Sequence, residues 1–493
     1  MKKRITGWLC LACVVLGTAV SCGETETPVT SGSETVASEN GTVTEAETED
    51  AVDPALKDSL PEADLGGAEF RLTVFGMDEF RAQTWSDGYN GNIVNDAVYE
   101  KITSVEERFN TDIVLTEMSY GEDNGCVPLK TAILAGEDTC DLAQAHDLSM
   151  ANFSLEGMCV NVLDIPHLDF SKPWWPSETM DSMTVSGQMY VMCNNLSFNN
   201  LAMTRVLFFN KTMMAALDYE YPYAKVADGT WTMDVLTEMS NSAYSDLNGN
   251  GKPDNDDRFG YYISTFFCYM EPYRAEPFRK NADGDLIYEF PIERTALIVE
   301  KMAELLNGVG AWRYQASNME TGSQTAFANG NSLFLYAPLG VAASILSDSA
   351  LTYGILPMPK LQEFDDGYYS GSTDRPFAVP ITAEGRLDNI GLVIEALNAE
   401  GYRRVYPAYF EISMKSRYAD QQEDAQMLDI IHDNMIISFS YLYSDGVSSY
   451  NALFDSIYRA SGMNTDVASW AAKREKMNLK RLAVLTEFFD SGK

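Results

Sequence analysis

The chain has 493 residues, and its 72 acidic residues outnumber its 35 lysines and arginines, which gives a formal net charge of −37. Such an acidic surface repels phosphate backbones and argues against nucleic acid as a partner. Hydrophobic residues make up 45% of the chain, which is ordinary for a globular protein, and the length allows two or three domains. With only three histidines, a histidine-rich metal centre is not expected.

Residues 1–22 predict a secretory signal peptide. Three basic residues at 2–4 precede an apolar stretch, 5–20, that is short for a transmembrane helix. Small residues then lead to Cys22, which resembles the lipidation site of bacterial lipoprotein signals. The alternative is an ordinary cleaved signal with an incidental cysteine. We expect an extracytoplasmic protein that is anchored to the cell membrane through Cys22.

Residues 23–63 predict a disordered acidic linker. The segment is rich in Thr, Glu, Ser and Gly and has few large apolar residues, so it cannot bury enough surface to fold. Such a linker after a lipid anchor would hold a folded domain away from the membrane.

Five cysteines lie beyond the signal and the linker. One disulfide, such as Cys126–Cys140, is compatible with an exported protein, and buried free thiols are the alternative. An odd number leaves at least one thiol free. The five are Cys126, Cys140, Cys159, Cys193 and Cys268.

The folded region begins near residue 68 with alternating strands and helices. Residues 69–75 predict a strand, and 92–110 predict a helix with apolar residues at helical spacing. A strand at 112–115, a helix near 126–135 and a strand at 141–145 follow. This alternation with short connections predicts an α/β domain with a mainly parallel sheet.

The rest of the chain predicts a second α/β unit and a helical tail. Longer helices and loops occupy about 200–330, and strands are predicted at 333–336 and 353–357. The last helix has apolar residues at the spacing of an amphipathic face.

A series of short motifs in this region occurs in one consistent order. They are ERFN at 107–110, LAGE at 134–137, AHD at 145–147, LFFNK at 207–211, GTWT at 229–232, FANGN at 327–331 and YGILPMP at 353–359. Together they resemble the extracellular solute-binding proteins of ABC importers, in the sugar-binding, maltodextrin-binding-protein-like group. The resemblance covers nearly all of 68–493.

The resemblance implies an α/β, two-lobed periplasmic-binding-protein-like (type II) fold with a hinge and an interlobe cleft. We expect lobe 1 to comprise 64–195 and 376–415, and lobe 2 to comprise 196–375 and 416–493. The cleft of such a fold would close on its ligand by hinge motion.

Asp147 is the first candidate for a ligand-binding residue, because it follows a predicted strand, where α/β folds place ligand contacts. Its alternative role is to cap the helix at 148–155. Aromatic faces would cover apolar sugar faces, and polar groups would pair with hydroxyls. Trp175 has the alternative role of filling space near the hinge, and Tyr336 that of a core residue. The further candidates are Trp85, Trp175, Trp312, Tyr336, Tyr369 and Arg375.

Residues 246–257 (DLNGNGKPDNDD) resemble a calcium-binding EF-hand loop. The predicted metal ligands are Asp246, Asn248, Asn250, Lys252, Asp254 and Asp257. Oxygen ligands at this spacing can surround Ca²⁺, although Asp257 stands where a bidentate glutamate is usual. The alternative is a solvated Asn-Gly turn. Any bound Ca²⁺ would be structural, and no cofactor is required.

No nucleophile elbow, phosphate-binding loop or zinc-protease motif occurs, so we expect a binding protein rather than an enzyme. The resemblance implies capture of a carbohydrate, an oligosaccharide by preference, and its delivery to an ABC permease. The expected partners are this sugar, the permease and the membrane through the lipid anchor, and the chain is expected to be monomeric. The alternatives are a secreted carbohydrate-active enzyme and a calcium-dependent surface adhesion lipoprotein.

Overall fold

The computed structural model describes residues 56–492, except for 77, 119–125, 264–269, 315–317, 374, 411–421, 444–452 and 454–465. The predicted signal peptide, Cys22, Cys268 and the linker up to residue 55 lie outside the described residues. Within the described ranges, no helix combines the length and the apolar character that crossing a membrane requires.

The described residues form an α/β structure with short connections. The strands are β1 (Ala68–Phe75), β2 (Thr111–Met118), β3 (Leu142–Gln144), β4 (Arg205–Asn210), β5 (Phe259–Ile263), β6 (Phe278–Lys280), β7 (Leu286–Tyr288), β8 (Ala311–Trp312), β9 (Ser332–Pro338), β10 (Tyr353–Leu356), β11 (Ser370–Ser372), β12 (Phe377–Ala378) and β13 (Met435–Ile437). The α-helices are α1 (Asp78–Ala82), α2 (Ile93–Phe109), α3 (Val127–Leu134), α4 (Asp147–Leu155), α5 (Ser177–Met183), α6 (Asn199–Met203), α7 (Lys211–Ala216), α8 (Tyr223–Ala227), α9 (Met233–Ser242), α10 (Ile292–Leu306), α11 (Met319–Ala328), α12 (Leu387–Glu400), α13 (Gln422–Asp433), α14 (Phe439–Tyr443) and α15 (Val467–Ser491).

The first lobe is built on a four-stranded sheet of order β12-β3-β1-β2. β1 pairs in parallel with β2 and β3, and β12 adds an antiparallel edge to β3. α2 connects β1 to β2. The Asn92 side chain caps it by accepting hydrogen bonds from the backbone of Val94 and Asn95, and it ends at Asn110 in the left-handed conformation. The predicted order of strands and helices in this lobe is confirmed.

The second lobe is built on a five-stranded sheet of order β10-β4-β9-β5-β8. Both faces of this sheet are buried. In β4, Leu207 and Phe209 enter one hydrophobic core, while Val206 and Phe208 enter the core on the opposite face. A strand covered on both sides is apolar along its whole length, which explains the continuous run LFF in the sequence.

The C-terminal segment contributes to both lobes. In α15, Val467 belongs to a core of the second lobe and Trp470 packs against that core. Further along the same helix, Leu485 and Phe489 are buried in the core of the first lobe, beside Phe439 of α14. The predicted boundary assigned all of 416–493 to lobe 2, whereas the structure divides its packing between the two lobes.

The folded region begins before residue 64, where the linker was predicted to end. Asp58 is enclosed by two arginines of the first lobe, with Oδ1 at 2.8 Å from Nη2 of Arg108 and Oδ2 at 2.5 Å from Nη2 of Arg403. Burial alone would raise the pKa of Asp58, but the two guanidinium groups lower it to about 2. Leu60 and Ala63 also pack against the first core. Residues 56–63 therefore belong to the folded lobe.

The four described cysteines, Cys126, Cys140, Cys159 and Cys193, are buried, and none of them forms a disulfide with another described cysteine. Cys126 and Cys140 do not form the bridge that was considered for them. Burial raises the pKa of both thiols to about 12, so they remain protonated and unreactive at neutral pH.

Lys101 is a fully buried lysine in α2. Its ammonium group donates hydrogen bonds to the backbone carbonyls of Thr84, at 3.0 Å, and Leu196, at 2.7 Å. The side chain is 1% exposed, and burial lowers its pKa to about 7. The hydrogen-bond acceptors of the Lys101 ammonium group are thus neutral backbone oxygens.

This burial makes the stability of the protein depend on pH. Between pH 7 and about pH 10 the unfolded state keeps the Lys101 proton that the folded state has lost, so the free energy of unfolding rises with pH. We expect Lys101→Met to remove this contribution, which amounts to about 2 kcal/mol between pH 7 and pH 9. Urea denaturation of the parent chain and of Lys101→Met, at pH 7 and at pH 9, measures this change in the free energy of unfolding. Lys225→Met, at an exposed lysine, is the control, and an equal pH dependence in all three proteins would refute the expectation.

Candidate ligand-binding cleft

A cavity of about 1180 Å³ lies between the two lobes. Both lobes and the segments that connect them supply its walls. The first lobe contributes, among others, Phe80, Gln83, Asn95, His146 and Asp147, the second contributes Arg205, Glu320, Gln324, Val341 and Ser344, and the connecting segments contribute Phe198, Thr373, Arg375 and Tyr409. A ligand in this cavity would therefore contact both lobes at once.

Asp147 lies at the base of the cavity, where β3 ends and α4 begins. It is 1% exposed, and its Oδ1 atom lies 2.7 Å from Nδ1 of His146. The same oxygen accepts a hydrogen bond from the backbone N–H of Leu148. Burial alone would raise the pKa of Asp147, but His146, Arg375 and this N–H hold it below its usual value. Asp147 is therefore an ionised acceptor that faces the cavity. It is the first residue of α4, whose N-cap position is occupied by His146 without a side-chain cap, so the predicted capping role is not the one that the structure shows.

Arg375 faces Asp147 across the same region of the cavity. Its Nη1 atom is 3.7 Å from Oδ2 of Asp147, and its guanidinium group lies over the ring of Phe80, with Cζ 4.3 Å from the centroid. This arrangement holds a planar hydrogen-bond donor beside a carboxylate acceptor and an aromatic face. Asp147 and Arg375 are the two predicted ligand-binding residues that the structure brings together.

The second lobe provides a similar donor and acceptor pair. Arg205, at the start of β4, is almost fully buried, and its Nη1 atom lies 3.5 Å from Oε1 of Glu320 on α11. Gln324, one turn further along α11, also lines the cavity. Opposing walls with both donors and acceptors suit a ligand that has many hydroxyl groups, since each hydroxyl both donates and accepts.

The aromatic residues of the cavity are ones that sequence reasoning missed. The rings of Phe198 and Tyr409 stack with centroids 4.5 Å apart and planes at 25°. Phe80 and Tyr441 also line the cavity. Of these residues, only Phe198 has a signal in the sequence, which is its position shortly before the LFFNK motif at 207–211.

Two predicted aromatic candidates are core residues. Trp175 is 2% exposed, and its indole N–H donates to Oε2 of Glu395 at 2.9 Å in the interior of the first lobe. Tyr336, in β9, is fully buried in a core of the second lobe. Neither side chain lines the cavity, so the alternative roles given for them are the ones that the structure shows.

Three other predicted aromatic candidates lie elsewhere on the molecule. The indole of Trp85 donates to Asp87 at 2.9 Å and packs against the first core. Trp312 stacks on Phe259, with centroids 5.0 Å apart and planes at 7°. Tyr369 lines a separate cavity of about 270 Å³, with Arg274 over its ring. These three residues are not among those that line the interlobe cavity, and a role for them in ligand binding stays a prediction.

The loop 246–257 turns its carboxylates toward its own backbone. The Asp246 oxygens accept from the N–H groups of Gly249, at 2.7 Å, and Gly251, at 2.8 Å. Asp257 is buried and accepts from Leu247, and Asp254 accepts from the Asn248 side chain. In the described part of the chain, no three His, Cys, Asp or Glu side chains are grouped as a metal site. Calcium binding by this loop, with Asn250 and Lys252 as further ligands, stays a prediction.

The fold can be compared with those of known proteins. No protein-family model matches the sequence, and no curated protein is detectably similar to it. Solved structures do match over most of the chain.

The ABC substrate-binding protein Lmo0181 from Listeria monocytogenes, in complex with cycloalternan, has a TM-score of 0.54 at 13% identity, covering 83% of this chain and 99% of its own. The GacH receptor of Streptomyces glaucescens, solved unliganded and with acarbose, has a TM-score of 0.54 at 14% identity. The match covers 83% of this chain and 99% of the GacH chain. UgpB from Mycobacterium tuberculosis, in complex with glycerophosphocholine, has a TM-score of 0.55 at 16% identity. The match covers 85% of this chain and 99% of the UgpB chain. The chain thus has the two-lobed, periplasmic-binding-protein-like fold of these substrate-binding proteins, as the sequence motifs predicted.

Proposed function

We propose that this protein is an extracytoplasmic substrate-binding protein that captures a carbohydrate between its two lobes. The observation that carries the proposal is the interlobe cavity, in which a buried Asp147–Arg375 pair faces the Arg205–Glu320 pair of the other lobe. Charged donors and acceptors of this kind form strong hydrogen bonds to sugar hydroxyls, and buried hydroxyls need such partners.

The size and the lining of the cavity favour an oligosaccharide. A cavity of about 1180 Å³ exceeds the volume range of typical small-ligand sites, which extends to roughly 1,000 Å³. The aromatic faces of Phe198 and Tyr441 can cover the apolar faces of sugar rings. Two of the proteins that share the fold were solved with cycloalternan and with acarbose, which supports a glycan ligand.

The proposed mechanism is binding and lobe closure without bond chemistry. A ligand that contacts both walls stabilises the closed arrangement, because only that arrangement satisfies both sets of hydrogen bonds. The protein would then present the sugar to an ABC permease as a monomer. Lipidation of Cys22 would keep it at the membrane surface, since a diacylated cysteine supplies more than one acyl chain.

A thermal-shift screen of the secreted chain, residues 23–493, tests the proposal with mono- and oligosaccharides, each with and without Ca²⁺. At about 100 times its Kd, a ligand should add roughly 2.7 kcal/mol of stability and raise the Tm by several degrees. We expect one glycan class to do so without release of reducing sugar. Release of reducing ends would favour a carbohydrate-active enzyme, and the absence of a shift with any glycan would reject carbohydrate capture. A shift with Ca²⁺ alone would support only the loop 246–257.

A further inference from the structure

The last helix, α15, concentrates positive charge in an otherwise acidic protein. Residues 473–481 contain five of the 35 lysines and arginines of the chain and one acidic residue, Glu475. The local charge is therefore +4 over nine residues, in a chain whose net charge is −37.

The packing of α15 fixes which of these charges face outward. Val467, Ala471, Asn478 and Leu485 are buried along one side of the helix. The two arginines are engaged by the protein, since Arg474 lies over the Trp470 ring and Arg481 donates to the backbone carbonyl of Tyr443. The three lysines remain exposed on the opposite side.

These lysines form a continuous face with two apolar side chains. Lys473, Lys476 and Lys480 are spaced by three and four residues, so they lie above one another on the helix. Met477 and Val484, which are 54% and 51% exposed, lie on the same side. We call these five residues the lysine face; at 1.5 Å per residue it is about 16 Å long.

The lysine face is not neutralised by the described part of the protein. None of its three lysines forms an ion pair with a described carboxylate, although Asp466 is close enough for a weaker electrostatic interaction with Lys473. Of the acidic groups on the same helix, Glu475 and Asp490 lie to the side of the face. Glu487 lies on the same side as the face, two turns beyond Lys480 and about 10 Å away along the axis. At physiological salt, charges beyond about 8 Å are largely screened, so the local charge decides short-range binding.

We propose that the lysine face binds the anionic head groups of a phospholipid surface. Basic side chains on an exposed helix surface are attracted to anionic lipid head groups. Recognition of a carboxylate at a defined position on a protein would favour the bidentate geometry of arginine, but here both arginines face the protein. Long, flexible lysine side chains suit a layer of mobile charges, and Met477 and Val484 can enter between the head groups.

The binding of the secreted chain to vesicles tests this proposal independently of sugar binding. The secreted chain, residues 23–493, lacks Cys22 and cannot be lipidated. It is sedimented with vesicles of phosphatidylcholine mixed with phosphatidylglycerol, and with vesicles of phosphatidylcholine alone. We expect binding only to the anionic vesicles, weakening as salt is added. Replacing all three lysines by glutamine should lower the partition coefficient roughly 100-fold, since each lysine near the surface contributes about 1 kcal/mol.

The control carries the same change of charge at three scattered exposed basic residues, Lys57→Gln, Lys225→Gln and Arg279→Gln. It should bind the anionic vesicles as tightly as the parent chain, and all variants should keep the parent Tm. Failure of the parent chain to bind anionic vesicles, or equal binding by the lysine-face variant, would overturn the proposal. Binding to an acidic polypeptide such as polyglutamate, without binding to vesicles, would replace it by an acidic protein partner.

Discussion

Replacement of Asp147 by alanine is expected to weaken carbohydrate binding by roughly 30-fold or more, because the loss of one partner of a buried charged hydrogen bond costs about 2–5 kcal/mol. Asp147 is the buried acceptor at the base of the cavity, and without it Arg375 loses the carboxylate that faces it at 3.7 Å. Isothermal titration with the glycan selected by the screen measures the change in Kd.

Two further variants separate a role in binding from a role in folding. Asp147→Asn keeps the shape but supplies an amide instead of a carboxylate, so we expect it to lose most of the affinity and to retain the Tm within a few degrees. Asp112→Asn removes an exposed acidic group of the same lobe and should bind as the parent chain does. Unchanged affinity in Asp147→Ala, with a ligand that binds the parent chain tightly, would remove Asp147 from the binding site.

Replacement of Glu395 by alanine is expected to destabilise the protein by about 3–5 kcal/mol, through the loss of two hydrogen bonds and the creation of a cavity. The two carboxylate oxygens of Glu395 accept from the indole N–H groups of Trp174 and Trp175, each at 2.9 Å. Burial raises the pKa of Glu395 to about 7, although both indoles oppose this rise. Alanine would leave two buried donors without an acceptor, and urea denaturation measures the resulting loss of stability.

The variant Glu395→Gln tests how much of this loss of stability comes from each hydrogen bond. Glu395→Gln keeps one acceptor oxygen but directs an N–H₂ group at the second indole, so we expect a loss between those of the parent and the alanine variant. Glu384→Ala, at an exposed position shortly before α12, should change the free energy of unfolding by less than about 0.5 kcal/mol. A similarly small change in Glu395→Ala would show that water can replace the carboxylate.

Much of the fold could be predicted because it depends on local patterns. The helical spacing of apolar residues in 92–110 and the alternation in 69–75 gave α2 and β1 to within one or two residues. Asp147 could be located because the end of a parallel strand is marked in the sequence by a polar residue after an apolar run.

The composition of the cavity depends on distant contacts, which local patterns do not contain. Trp175 and Glu395 are 220 residues apart, and an aromatic residue in a polar loop looks the same in sequence whether it faces ligand or fills a core. Phe198 and Tyr409 meet only because two connecting segments run side by side between the lobes. The end of the linker was misplaced for the same reason, since Asp58 and Arg403 are 345 residues apart.

The attachment of Asp58 decides how mechanical load enters the molecule. Any force transmitted along the chain from its N-terminal side reaches the first lobe at residues 56–63, where Arg108 and Arg403 form ion pairs with Asp58. A tethered molecule would therefore have a stationary lobe and a moving one. Under the proposed lipidation of Cys22 and closure on a ligand, the second lobe would move toward the first while the anchored first lobe keeps its position relative to the membrane.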